Sequence, residues 1–463
     1  MSNNKDMKEE LHKLCDSFFQ SEDEEKLLKE LKDNLEKFFK VINDKYGKNF
    51  NLDDDANKFL KEFSPWHQHR GKKLIDDFVK IVNQNSNKDF SWLDILEKDE
   101  QWKKSWEKSN KEVKIKEEVT DKNKHVNMRY QIPTHFHGDI DNAVIFHCME
   151  NPRGYLGEYE DSYIDKELGG PDLEEYFGKT YKLLNEDNSS NKSIKEIIKE
   201  RYQLGEGELD KNITNIIYSD KSNLSRELDN LFLEGEDFFK KEYNLKKNKN
   251  NKNPVLSEKY YYLAQYYAQL LEIDGKNMRK LKDKPGYENT ESRKKTRKIA
   301  KKICNLEIYP FSCKNPKLGD DGIGKKILLN SDLSRLGAYI VLRRIYKYLE
   351  EKNDKSQKPV FIFRKYDRAW KELFKSIFKE AEKEKNNYGF QNQKTLKNLE
   401  KLFFYCQTGQ QGGGITSGNV ISIKNYKIYN DIFKNLKETA FEEISDVLRR
   451  GDIDKNSSGK SGD

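Results

Sequence analysis

The stretch N-A-V-I-F-H-C-M-E-N-P-R-G-Y-L-G-E-Y-E-D-S-Y, Asn142 to Tyr163, decides how the rest of the chain is read. Its first part, Ala143 to Met149, is an apolar run of the length expected for a buried strand. The run stops at Glu150-Asn151-Pro152-Arg153-Gly154-Tyr155. Pro152 has no N–H to give to a sheet ladder, and Gly154 tolerates the positive φ of a sharp turn. In an open α/β sheet, ligands bind in the loops that leave the carboxyl ends of strands. An acid, an amide, a guanidinium and a phenol close together make this loop a candidate wall of an active site.

Working outward, three more apolar runs read as strands. One spans 303–312 and ends in Tyr309-Pro310-Phe311. The next covers 359–364. The last, 402–406, runs into Q-T-G-Q-Q-G-G-G-I-T-S-G-N. Amphipathic helical spacing lies between and after them, at 333–350, 367–378 and 428–448. Strands alternating with helices predict an α/β fold with a mostly parallel four-stranded central sheet flanked by helices. The expected core covers residues 126–189 and 301–450. Residues 1–125 read as a helical accessory region, with Leu27, Leu28, Leu31, Leu35, Phe38 and Phe39 at helical spacing and Trp92, Trp102 and Trp106 as core. Residues 190–300 read as a helical insertion, broken by the polar stretch 246–254. Residues 451–463 read as a flexible tail.

Composition narrows the function classes. The chain has 463 residues, 36% of them charged, yet 12% are aromatic, which favours a folded protein with a highly charged surface over a disordered one. The net charge of +7, from 87 basic and 80 acidic residues, permits nucleic-acid binding without demanding it. The five cysteines (15, 148, 304, 313 and 406) form no C-x-x-C pair, so neither a disulfide framework nor a thiolate zinc site is expected. No apolar run reaches membrane-spanning length and the first residues lack an apolar signal core, so a cytoplasmic protein without a membrane partner is expected. The glycine-rich loop after 406 lacks the Lys-Ser/Thr ending of a phosphate loop, and neither G-x-G-x-x-G nor G-x-S-x-G occurs. No cofactor is expected.

All seven histidines precede residue 150, so the later strand ends are expected to work without imidazole. His135, His137 and His147 with Cys148 are conceivable metal ligands. His147 and Cys148 are adjacent on a strand, however, and so point to opposite faces; no metal site is expected. The four strand ends together offer amide, aromatic, guanidinium and small hydroxyl groups. That set suits a flat heteroaromatic ligand, such as a nucleobase taken out of the helical stack. The same residue types also punctuate ordinary strand ends, and both readings stay open on the residues alone.

The run Pro133 to Tyr155 resembles the first motif of the uracil-DNA glycosylase superfamily: an approach ending in Asn-Ala, an apolar strand, then a variant of Asn-Pro-Gly. The strand ending at Tyr309-Pro310-Phe311, the strand Val360 to Arg364 with Trp370, and Ile415 to Asn419 look like its later motifs. The resemblance implies a DNA glycosylase, a hydrolase of N-glycosyl bonds that flips out a base and leaves an abasic site. It implies Asn151, Glu150 and Asp161 as the catalytic group, with Asn151 reading the base edge or holding water and an acid orienting that water. Pro152, Arg153, Gly154, Tyr155, Tyr309 and Phe311 would form the base pocket. Arg364, Gln410, Thr416, Ser417 and Asn419 would contact DNA, with the basic run 293–302 supplying phosphate contacts or serving only as a solvated helix face. Arg153 stands where the family has a small residue, and the family's His-Pro-Ser is absent from the last loop. Both departures point from uracil toward a larger or modified base, and the family link points to defence against phage with modified DNA. A monomer acting on DNA is the expected form; a non-catalytic nucleic-acid binder and a nucleoside-handling enzyme remain the alternatives.

Overall fold

The structure is a computed structural model. It describes residues 21–84, 92, 95, 133–150, 196, 199, 202–229, 262–271, 290–310, 323–351, 358–407, 413–426 and 433–450. Seven strands form one sheet: β1 (Phe136–His137), β2 (Ile145–Met149), β3 (Tyr218–Ser219), β4 (Ile303–Glu307), β5 (Val360–Arg364), β6 (Phe403–Cys406) and β7 (Val420–Ser422), in the order β3-β1-β4-β2-β5-β6-β7. The ten labelled helices are α1 (Ser21–Tyr46), α2 (Ala56–Phe63), α3 (His69–Gln84), α4 (Leu209–Ile217), α5 (Thr290–Lys301), α6 (Ile323–Asn330), α7 (Asp332–Glu350), α8 (Trp370–Glu382), α9 (Asn392–Glu400) and α10 (Phe433–Arg450).

The α/β class expected from the sequence is present, but the sheet differs from a four-stranded, mostly parallel one. Among the described residues it is seven-stranded and mixed. The four expected strands form a contiguous parallel block, β4-β2-β5-β6. Antiparallel ladders then extend it: β1 against β4 on one side and β7 against β6 on the other, with β3 parallel to β1 at the rim. The added strands are two or three residues long. A segment that short carries no period, so hydrophobic alternation does not reveal it. One of them, β3, comes from within residues 190–300.

Strand alternation sorts the core into two layers. Phe146, Cys148, Leu306, Phe361 and Phe363 point into one cluster, shared with α1, α2, α3, α7 and α8. Phe38 packs edge-on to Phe378 with ring centroids 5.2 Å apart, and Phe63 meets Tyr339 at 5.3 Å. The N-terminal helices therefore cover one face of the sheet. α2 ends at Phe63, and the Ser64 side chain caps a single 3-10 turn that starts at Pro65. On the opposite face Ile145, Met149, Ile303, Val360 and Ile362 meet a π-helical turn (Leu263–Tyr267), α5 and α10.

Candidate active site at the carboxyl ends of the parallel strands

From β2 the chain passes to β4 on one side, then to β5 and β6 on the other. This reversal makes the carboxyl ends of β2 and β5 a topological switch point, the place where open α/β sheets bind ligands. Glu150 follows the last residue of β2, and Arg364 closes β5. The two meet: Glu150 Oε1 lies 3.1 Å from Arg364 Nη2 and 3.6 Å from Lys365 Nζ. Lys365 sits at φ +46°, a left-handed conformation that costs a non-glycine residue energy and recurs at functional sites.

Beside this pair stands a second acid, Glu307. It ends β4 in register with Met149, so it neighbours Glu150 across the sheet. Its side chain is 2% exposed. Burial pushes its carboxyl well above the usual carboxylate range; the negative charge of Glu150 adds to this and Arg364 partly offsets it. Glu307 thus holds its proton more tightly than an ordinary carboxyl, and Glu150 is ion-paired. Oε2 of each has no hydrogen-bond partner among the described residues. Orphaned buried oxygens of this kind call for an explanation.

The opposite face supplies the support. Arg364 Nη1 donates to the Tyr266 hydroxyl at 2.8 Å. Gly413, at φ +94°, lies against the guanidinium; a Cβ there would come within 2.4 Å of Arg364 Nε, so only glycine lets the loop pass. Tyr267 accepts a hydrogen bond from Asn305 Nδ2, which leaves its own proton for His147 Nδ1 at 2.9 Å. Burial brings the His147 imidazole down to about 3; nearby Arg364 adds to this, against the Gly413 backbone. It is neutral, and it lies beneath the loop that follows β6. Imidazole does therefore reach a later strand end, because the sheet places β2 in its centre. Cys148 faces the other layer, as strand alternation predicts. Glu227 secures the π-helical turn, accepting from the backbone N–H groups of Tyr262 at 2.9 Å and Leu263 at 2.7 Å.

The other expected site residues divide by place. Asn419 is 4% exposed and turns inward, its Nδ2 donating to the Gly414 carbonyl at 2.8 Å. Thr416 belongs to the same turn, its carbonyl accepting from the Asn419 N–H at 3.0 Å. Ser417 is bonded reciprocally to Gln269, N to Oε1 at 2.9 Å and Oγ to Nε2 at 3.1 Å. Tyr309 is fully buried and belongs to the cluster on the other face of the sheet. Asn151, Pro152, Arg153, Gly154, Tyr155, Asp161, Phe311 and Gln410 lie outside the described residues. Sequence reasoning missed Glu307, Lys365, His147, Asn305 and Tyr266. The one signal for Glu307 was a lone acid at the end of an apolar strand.

Comparison with family models, curated proteins and solved structures gave no match. Among the described residues no group of three or more His, Cys, Asp or Glu is placed to hold a metal ion, and no helix is long and apolar enough to cross a membrane.

Proposed function

We propose that this edge hydrolyses an N-glycosidic bond, and that its substrate is DNA carrying a modified or damaged base, released to leave an abasic site. One observation carries the reading: two neighbouring buried carboxyls, Glu307 with its proton affinity raised by burial and Glu150 ion-paired to Arg364. A carboxyl that holds its proton tightly suits the role of acid, which leaves the role of base to its neighbour. In this mechanism the target nucleotide is extruded from the helix and its base enters the crevice. Glu307 gives its proton to the departing base nitrogen as the C–N bond breaks and its electron pair leaves with the base. Glu150 stabilises the developing positive charge on the sugar and takes a proton from the water that adds to the anomeric carbon. Arg364 and Lys365 hold Glu150 in place. The protein acts as a cytoplasmic monomer whose partner is DNA, in defence against phage with modified genomes.

The test uses the purified protein with unmodified DNA and with hypermodified phage DNA. Released base is identified by mass, and abasic sites by alkaline strand cleavage. Base release that disappears in Glu307→Gln supports the proposal. No release from any modified DNA sinks it, and turnover of free nucleosides alone would make the protein a nucleoside hydrolase.

A further inference from the structure

Exposed helix faces in this protein mix their signs. Lys58 answers Asp54, Lys73 answers Asp77 and Lys80 answers Asp76, all at i,i+4 spacing. α5 departs from that habit. Residues 290–302 hold seven basic side chains against one acid, Glu291, a local charge of +6 in a chain whose total is +7. Outside 290–302 the two signs nearly balance in sum, and α5 is one of the places where positive charge collects.

The arrangement on the helix is one-sided. Ile299 and Ala300 are buried in the same cluster as Tyr266, Tyr267 and Ile415, so α5 belongs to the layer that supports Arg364. Lys294, Lys295, Arg297, Lys298 and Lys301 are exposed. At 100° per residue they occupy the arc opposite the buried stripe. Lys294 and Lys298 repel at i,i+4 spacing, as do Arg297 and Lys301, and such pairs destabilise a helix. Arg297 is answered by Asp229 at 3.1 Å. Lys295, Lys298 and Lys301 have no ion-pair partner among the described residues. A face chosen only for solubility would interleave acids, as the other helices do.

We infer that α5 is a docking face for the phosphate backbone of DNA. A polyanion relieves the like-charge repulsion, and release of its condensed counterions drives the association. The face carries no sequence preference; it positions the polymer while the strand-end site selects the base. The inference rests on the proposed function for the choice of DNA, and on the charge pattern for the surface.

The experiment measures binding of full-length protein to labelled duplex DNA by anisotropy, between about 50 and 200 mM salt. In the triple variant Lys295→Gln, Lys298→Gln, Lys301→Gln, the slope of log affinity against log salt becomes shallower by about 3, roughly 1 per lysine. An unchanged slope overturns the inference, as does wild-type protein that binds phosphatidylserine vesicles but not duplex. Thermal unfolding of the triple variant verifies its fold, and Lys→Arg at the same positions restores the slope. Glu307→Gln separates this from the proposed function: it keeps full DNA binding while losing base release. If the wild type releases no base yet shows the lysine-dependent slope, the docking face stands and the glycosylase reading falls.

Discussion

Two buried ionic networks in this protein look alike and differ in one respect. Between the helices, Glu380 accepts from Arg335 Nη2 and from the Tyr46 hydroxyl, each at 2.6 Å, and pairs with Lys45 at 2.5 Å. Both of its oxygens are used. Burial alone would raise its carboxyl, but the Arg335 charge and the hydrogen bonds from Lys45, Tyr46 and Arg335 outweigh that and bring it down to about 2. At the strand ends, Glu150 and Glu307 share the field of Arg364, and each keeps an oxygen without a partner among the described residues. The first network saturates its acid and fixes helix against helix. Among the described residues the second leaves each acid an open oxygen, and an open oxygen of that kind is what a substrate group can fill.

The comparison breaks first on Glu307→Gln. The amide keeps the shape but has no proton to release, so base release falls about 10²–10⁴-fold, read from released base per unit time. The folded state is not harmed. The Glu307 carboxyl is raised in the folded state, so its stabilisation is present below the unfolded value of about 4.3 and lost as pH rises through the folded value. Glu307→Gln abolishes that decline, so the variant gains stability over wild type as pH increases. A variant that unfolds instead would make Glu307 structural.

Glu380→Gln should do the reverse. It leaves buried Arg335 with only the more distant Asp332, 3.9 Å away, as charge partner and costs about 3–5 kcal/mol in urea unfolding. Base release per folded molecule stays at the wild-type level. A cost under about 1 kcal/mol would reduce this network to the worth of a surface pair.

Acid separates the histidines from both networks. Burial brings His135 and His147 down to about 3 in the folded protein. A depressed pKa gives stability that is complete above the unfolded value, about 6.5, and is lost as pH falls toward the folded one. Each histidine then contributes a loss of about 1.4 kcal/mol per pH unit. Unfolding measured from pH 7 down to pH 4 should show it, with His147→Gln removing one proton's worth of slope. A flat profile would contradict the burial of both rings.

The smallest effect expected is that of Tyr266→Phe. It deletes the 2.8 Å bond to Arg364 and costs about 1.5 kcal/mol in unfolding free energy. Base release drops by less than in Glu307→Gln, since Arg364 keeps its pair with Glu150. An effect as large as that of Glu307→Gln would make the tyrosine itself part of the chemistry.

Much of the frame is legible before any coordinates. β2, β4, β5 and β6 are mainly apolar runs, and α7 and α8 are amphipathic over several turns, so side-chain pattern finds them. β1, β3 and β7 are not legible, because two or three residues form a strand only when a neighbouring edge offers hydrogen-bond partners. At the site, Glu150 and Arg364 were each legible as polar residues at strand ends. Their pairing was not, since it depends on β2 and β5 being neighbours although β4 lies between them in sequence. The hydrogen bond of Asn419 was not legible either: expected as a DNA contact, its amide donates to the loop's own Gly414 carbonyl.

The sequence by itself determined where the four longer strands lie, that polar and Pro/Gly residues follow them, and where positive charge collects, because each is a local matter of side-chain type and spacing. Only the tertiary structure decided the order of the strands, the meeting of Glu150 with Arg364, and the raised proton affinity of Glu307. Strand order is chosen by which apolar faces cover one another. A carboxyl's proton affinity is set by what excludes water from it and by the charges that share its space.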